Sequence, residues 1–261
     1  MLRIATAISA VALAVVLPAS ASEPGQSARR GAFPKVVRGA GNIAPAVSRF
    51  RGLLGANNGG APGRHRRGRR EIDWDAVPDQ FAAPHALPAG FFNATTAPRA
   101  RGAVLRTPGD HVAVSADSSN PDGAAVRFGD INPTYVQEFR TFSPERLFSP
   151  VGSNVVNLTF RVPGSGRRAA VRGFGAVYTD VDKRERAAFT YFNARGHSLG
   201  TYSVPVSKQK LSFLGVVFRH ARVARVRIKY GNRRLGPDDG GRYDVAVMDD
   251  FIYGEPQPLS R

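Results

Sequence analysis

Carboxylates crowd two places in this sequence. Near its end, Asp249 and Asp250 stand together inside an apolar run, with Val245-Ala246-Val247-Met248 before them and Phe251-Ile252-Tyr253 after. Read as a strand, residues 244–253 put Val245, Val247, Asp249, Phe251 and Tyr253 on one face and Asp244, Ala246, Met248, Asp250 and Ile252 on the other. Whichever face is buried takes a carboxylate with it, and a buried charge must be paired or must shift its pKa until it is neutral. An Arg, a set of backbone N–H groups or a calcium ion could each serve as the partner. In a strand without a bulge, neighbours such as Asp249 and Asp250 point to opposite faces, which argues against their acting together.

The second place is Asp180-Val181-Asp182, where i and i+2 spacing sets both side chains on one side of an extended backbone. Oxygen-rich groups at a strand end suit a hard cation that takes six to eight oxygens. Asn93 and Asp130 can add oxygens from other loops. The candidate calcium ligands are therefore Asp180, Asp182, Asp249, Asp250 and Asn93, and such an ion would stabilise the fold and do no chemistry. The competing reading pairs these carboxylates with turn N–H groups or with an Arg such as Arg172 or Arg184.

Signals for catalysis are missing. There is no H-E-x-x-H signature, no G-x-S-x-G elbow and no phosphate-cradling Gly-rich loop; His65, His85, His111, His197 and His220 stand singly. No residue is assigned a catalytic role. The chain has no cysteine, which removes disulfides, thiolate metal sites and cysteine nucleophiles at once.

A third feature is the run Arg64-His65-Arg66-Arg67-Gly68-Arg69-Arg70. Clustered guanidinium groups attract phosphate, sulfate or carboxylate polymers in a salt-sensitive way, so Arg64, Arg66, Arg67, Arg69 and Arg70 are candidate polyanion contacts. The other reading is a solvated spacer. Aromatic residues for base stacking are absent around the run, so no nucleic-acid partner is expected. Trp74, between Asp73 and Asp75, is the candidate ligand-binding aromatic, either a sugar-stacking platform or a staple for the N-terminal arm.

What must position these groups is legible in the composition. Of 261 residues, 37 are Lys or Arg and 20 Asp or Glu, a formal charge of +17. One positive charge in Met1-Leu2-Arg3, an Ala/Val/Leu-rich run and Ala19-Ser20-Ala21 form a secretory signal peptide over residues 1–21, cleaved after Ala21. The apolar run is too short and Ala-rich for a membrane-spanning helix. Residues 22–70 hold 10 Gly, 4 Pro and 11 Lys or Arg against the single acid Glu23, and only two aromatics, Phe33 and Phe50. Such a segment is expected to be a disordered basic tail, with a fleeting helix at most over residues 44–54.

From Glu71 to the end, short alternating runs separated by Gly, Pro, Asn and Asp predict strands. Val156, Leu158, Phe160 and Val162 share one face of residues 155–162; Ala224, Val226, Ile228 and Tyr230 share one face of residues 222–230, with Arg225, Arg227 and Lys229 on the other. Further strands are expected over 102–106, 112–116, 124–128, 169–180, 187–193, 199–204 and 211–219, and short helices near 135–139 and 144–147. The fold class is all-β: a two-sheet antiparallel β-sandwich of jelly-roll type over residues 71–261.

As a set, Asp73-Trp74-Asp75, Phe91-Phe92-Asn93, Gly173-Phe174-Gly175-Ala176 with Asp180-Val181-Asp182, Ser212-Phe213-Leu214-Gly215-Val216 and Met248-Asp249-Asp250-Phe251 resemble a family of uncharacterised secreted bacterial proteins. The closing Met248-Asp249-Asp250-Phe251 is also similar to the last strand of extracellular jelly rolls, including carbohydrate-binding modules and MAM-type adhesion domains. That similarity implies a role for Asp249 or Asp250 at a structural calcium. The functional expectation is a secreted, non-catalytic module that binds a glycan or cell-envelope polymer. The alternatives are a structural or adhesive protein and a polysaccharide hydrolase.

Overall fold

The computed structural model describes residues 33–259. Two antiparallel sheets face each other across an apolar core. The first sheet runs β1 (Lys35–Ala40), β11 (Ser207–Val217), β8 (Gly173–Val181), β13 (Val247–Gly254), β5 (Phe148–Val151) and β4 (His111–Val114), and β2 (Arg69–Ile72) also pairs with β13. The second runs β10 (Ser198–Ser203), β9 (Ala188–Phe192), β12 (Arg225–Lys229), β6 (Val155–Arg161), β7 (Arg168–Ala170) and β14 (Gln257–Pro258), with β3 (Ala103–Arg106) paired to β6. From β5 onward the chain passes repeatedly between the sheets, giving the expected β-sandwich of jelly-roll type. No helix among the described residues is long and apolar enough to cross a membrane.

The sheets differ in how they meet water. The second is alternating: in β6 Val156, Leu158 and Phe160 are buried while Asn157, Thr159 and Arg161 are partly exposed, and β12 repeats the pattern. The first is covered on both sides, and every residue of β8 and β13 is buried. Its outer face carries helix α1 (Ala44–Leu54), whose Val47, Phe50 and Leu54 form one stripe against Val177, Phe213, Val217 and Ile252. Farther along, helix α2 (Tyr135–Glu138) contributes Tyr135 to a cluster with Phe128, Phe139, Leu147 and Val247. Gly175 and Gly215, paired across β8 and β11, make room for Phe50: a Cβ on Gly215 would lie 2.5 Å from its ring, and one on Gly175 2.8 Å away.

These contacts correct the tail. The disorder expected over residues 22–70 does not hold from Lys35 onward, where β1, α1 and β2 join the first sheet; residues 22–32 and the signal peptide lie outside the described residues. The anchor is Arg70, which is fully buried. Its Nε and Nη2 donate to the Glu255 carboxylate at 2.8 and 3.0 Å. Its remaining N–H groups donate to the carbonyls of Ala61 (2.7 Å), Ala100 (2.9 Å), Gly59 and Gly63 (both 3.1 Å). Glu255 also accepts from Asn58 Nδ2 (2.8 Å) and His65 N (3.2 Å), fixing the loop that leads into β2.

Three smaller expectations also shift. Residues 124–128 make no strand, only a bridge between Ala116 and Val126, and residues 144–147 make no helix. The run 169–180 breaks at Val171-Arg172 into β7 and β8, one in each sheet.

Arg70→Met is expected to cost about 3–5 kcal/mol in urea unfolding, because it leaves Glu255 buried without its partner. A chain starting at Glu71 is expected to bind a hydrophobic dye strongly and to melt well below the full chain, since Phe213, Val217 and Ile252 lose their cover. An unchanged melt would show that α1 adds nothing to the domain.

Candidate functional site

The strand of Asp249 and Asp250 has a bulge. Pairing between β13 and β8 slips between Met248 and Phe251, so the two carboxylates do not diverge as neighbours in a regular strand would. Both reach one hydroxyl: Ser143 Oγ lies 3.1 Å from Asp249 Oδ1 and 3.0 Å from Asp250 Oδ1. Asp249 Oδ2 accepts from the backbone N–H groups of Phe142 (2.5 Å) and Ser143 (3.3 Å). Asp250 Oδ2 accepts from Arg51 Nη2 at 3.3 Å, and the same Nη2 donates to Glu71 at 2.6 Å. Both carboxylates are buried. Burial, then repulsion from Asp250, pushes Asp249 well above the usual carboxylate range; burial pushes Asp250 up to about 6. Of the three partners foreseen, backbone N–H groups and an arginine fill the role, and the pair ties residues 142–143 to β13.

Trp74 sits behind this pair as a staple. Its Nε1 donates to the Asp249 carbonyl at 2.8 Å, and its ring stacks on Phe148 with centroids 4.2 Å apart. It has no exposed surface, so the sugar-platform expectation fails. Asn93 is apart from both acidic pairs, donating from Nδ2 to the Ser165 carbonyl at 3.2 Å.

Asp180 and Asp182 end β8 in different company. Asp180 has a left-handed backbone (φ 61°) and accepts from Gln209 N at 2.6 Å, where the pairing of β11 with β8 slips. Its carboxylate oxygens lie with those of Glu138, at the end of α2, and Asp239, in the loop before β13: one oxygen from each falls within 4.8 Å of the others. Glu138 Oε2 and Asp239 Oδ2 are sealed from solvent without a hydrogen-bond donor. Burial pushes Asp180 up to about 7 and Asp239 up to about 6; repulsion from Asp182, Asp239 and Glu138 adds to the first, and from Glu138 and Asp182 to the second. Asp182 faces Lys208 Nζ at 3.6 Å, not Arg172 or Arg184, and its Oδ1 is sealed and unpaired.

Of the five residues expected to share a cation, only Asp180 belongs to this triad. Glu138 and Asp239 were missed; the signal was the acidic pair Asp238-Asp239 ahead of Gly240-Gly241. Chemically, three crowded carboxylates with sealed oxygens need protons or a cation, and their all-oxygen donor set suits calcium.

The arginine run divides. Arg64, Arg66 and Arg67 are exposed; Arg69 is half-buried and pairs with Glu71; Arg70 is buried against Glu255. Arg69 and Arg70 are thus structural, because their guanidinium groups already hold carboxylates.

The raised pKa values of Asp180 and Asp239 fix the sign of the site's pH dependence. The folded chain holds these protons more tightly than the unfolded one, so their stabilising effect is present near pH 4 and is lost as pH rises through about 6 to 7. With a chelator present, the melting temperature is expected to be lower at pH 8 than at pH 5, and calcium at pH 8 is expected to raise it. Asp180→Asn should abolish the calcium response. A melt at pH 8 that ignores both chelator and calcium would leave protons as the only counter-charge.

No protein-family model matches the chain, and no curated protein matches it. Among solved structures it is similar to the CBM22-1 xylan-binding domain of Xyn10C from Paenibacillus barcinonensis, with a TM-score of 0.30 and 10% identity over 65% of this chain and 92% of that one. It is also similar to the enzymatically active domain of tailspike protein 4 of bacteriophage CBA120, with a TM-score of 0.27 and 13% identity over 69% of this chain and 22% of that one.

Proposed function

We propose that this chain is an extracytoplasmic binding module for an acidic glycan of the cell envelope or its surroundings, docked on the open face of the second sheet. One observation carries the reading. Strands β3, β6, β7, β9, β10, β12 and β14 contain no Asp or Glu, while Arg106, Arg161, Arg168, Arg225, Arg227 and Lys229 belong to them. None of the six forms a salt bridge among the described residues.

Strand register sets these groups in rows. Arg106, Asn157, Arg227, Thr190 and Thr201 lie side by side across β3, β6, β12, β9 and β10, and Val104, Thr159, Arg225 and Phe192 form the next row. At a strand spacing of about 4.8 Å, the backbones bearing Arg106 and Arg227 are about 10 Å apart. Arg225 lies over the Phe192 ring, 3.7 Å from its centroid, and donates to Asn157 Oδ1 at 3.1 Å. Partial burial, then repulsion from Arg168 and Arg106, lowers the pKa of Arg161.

Such a face suits an extended polymer with regularly spaced carboxylates, with the Thr and Asn side chains available to sugar hydroxyls. Secretion through the signal peptide of residues 1–21 and a structural calcium at Glu138, Asp180 and Asp239 are parts of the same proposal. The sealing of Asp249 and Asp250 favours binding over hydrolysis.

The test is affinity electrophoresis of the full chain through gels carrying polygalacturonate, neutral xylan or DNA. Retardation by polygalacturonate, weakened by salt, is expected, and the double substitution Arg106→Glu with Arg227→Glu should weaken it about tenfold. Equal retardation of the variant, or a preference for DNA or xylan, would sink the reading.

A further inference from the structure

A second, separate cavity of about 440 Å³ opens where the arginine run meets the far end of the sandwich. Arginines enter it from three stretches distant in sequence: Arg66 and Arg67 from the loop before β2, Arg172 from the link between β7 and β8, and Arg219, with His220 beside it, after β11; Glu255 and Gln257 complete the lining. Each stretch is held in place. The loop is fixed by Asn58 Nδ2 donating to the Arg67 carbonyl at 2.9 Å and by His65 N donating to Glu255. The other two are joined by Phe218 N donating to the Arg172 carbonyl at 2.6 Å.

Four arginines therefore line one cavity, and their charge is not answered from within. The only acid in the lining is Glu255, whose two oxygens already receive Arg70. None of Arg66, Arg67, Arg172 and Arg219 forms a salt bridge among the described residues. Arg172 Nε is, in addition, sealed from solvent with no acceptor.

We infer that this cavity binds a tetrahedral oxyanion, a phosphate group that Arg66, Arg67, Arg172 and Arg219 contact from three directions. A planar carboxylate occupies one guanidinium fork, whereas the oxygens of a phosphate point to several walls at once, as these arginines do. Free phosphate and a phosphate ester carried on a sugar share this chemistry. The site is independent of the open sheet face and does not depend on that face binding a glycan.

The experiment uses the full chain and inorganic phosphate as the probe, read by titration calorimetry and thermal melting, with glucose 6-phosphate and sodium chloride of equal ionic strength as parallel arms. Saturable phosphate binding that raises the melting temperature, unmatched by chloride, is expected. Arg172→Met should leave the phosphate-free melt unchanged and weaken phosphate binding about tenfold; Arg67→Gln, on an exposed loop position, gives the same loss without touching the core. The Arg106→Glu, Arg227→Glu variant should bind phosphate normally. Tighter binding of the ester than of free phosphate assigns the group to a phosphorylated sugar, and the reverse assigns it to the free ion. Absence of saturable binding, or wild-type affinity in both Arg172→Met and Arg67→Gln, overturns the proposal.

Discussion

A guanidinium group shut away from water must find an acceptor for every N–H it carries, and Arg70 finds them in one carboxylate and four carbonyls. Most of the N-terminal architecture follows from this. The carbonyls of Gly59, Ala61 and Gly63 are held against Arg70, so the Gly-rich loop has one shape despite its composition. Residues 69–72 are then in place to pair with β13 and α1 to lie on the sheet beyond. Glu255 reciprocates by taking Asn58 and His65, so the pair organises backbone on both sides. An apolar pair of similar volume could match its energy but could not gather so many backbone groups at one point.

Charge is segregated between the two sheets. Carboxylates gather in and around the first, which is covered on both sides, and their pKa values rise because burial disfavours the ionised form. The strands of the second, open on one side, carry cations and no acid, whereas those of the first carry both signs. The strand carboxylates thus lie in the covered sheet, where hydrogen bonds, protons or a cation must answer them, and the strands of the open sheet hold no acid to answer their cations.

Much of this was legible in the residues. Strands β6 and β12 alternate because one face is wet, and the two-sheet architecture follows from such runs. The demand that a buried Asp in β13 find a partner was also visible. Less visible was β8, where burial on both faces erases alternation. The helix α1 was foreseen over residues 44–54 but only as fleeting, because its stripe of Val47, Phe50 and Leu54 is sparse and set among Gly and Arg; its stability comes from the slot that Gly175 and Gly215 open for Phe50, a contact no local window contains. The joint action of Asp249 and Asp250 depends on a bulge, and the triad of Glu138, Asp180 and Asp239 on three segments meeting in space. Spacing rules assume regular strands and neighbours in sequence, and both sites break one of those assumptions.

The last strands carry a consequence for timing. β13 lies inside the first sheet, between β8 on one edge and β5 and β2 on the other; β14 closes against β7 in the second, and Glu255 between them answers Arg70. A chain emerging N-terminus first, from a ribosome or through a narrow pore, can complete neither sheet until β13 and β14 are free. Every earlier intermediate leaves β8 without one of its two neighbours and Arg70 without its counter-charge. Closure then comes as one late step, and until that step the polypeptide stays open enough to be threaded.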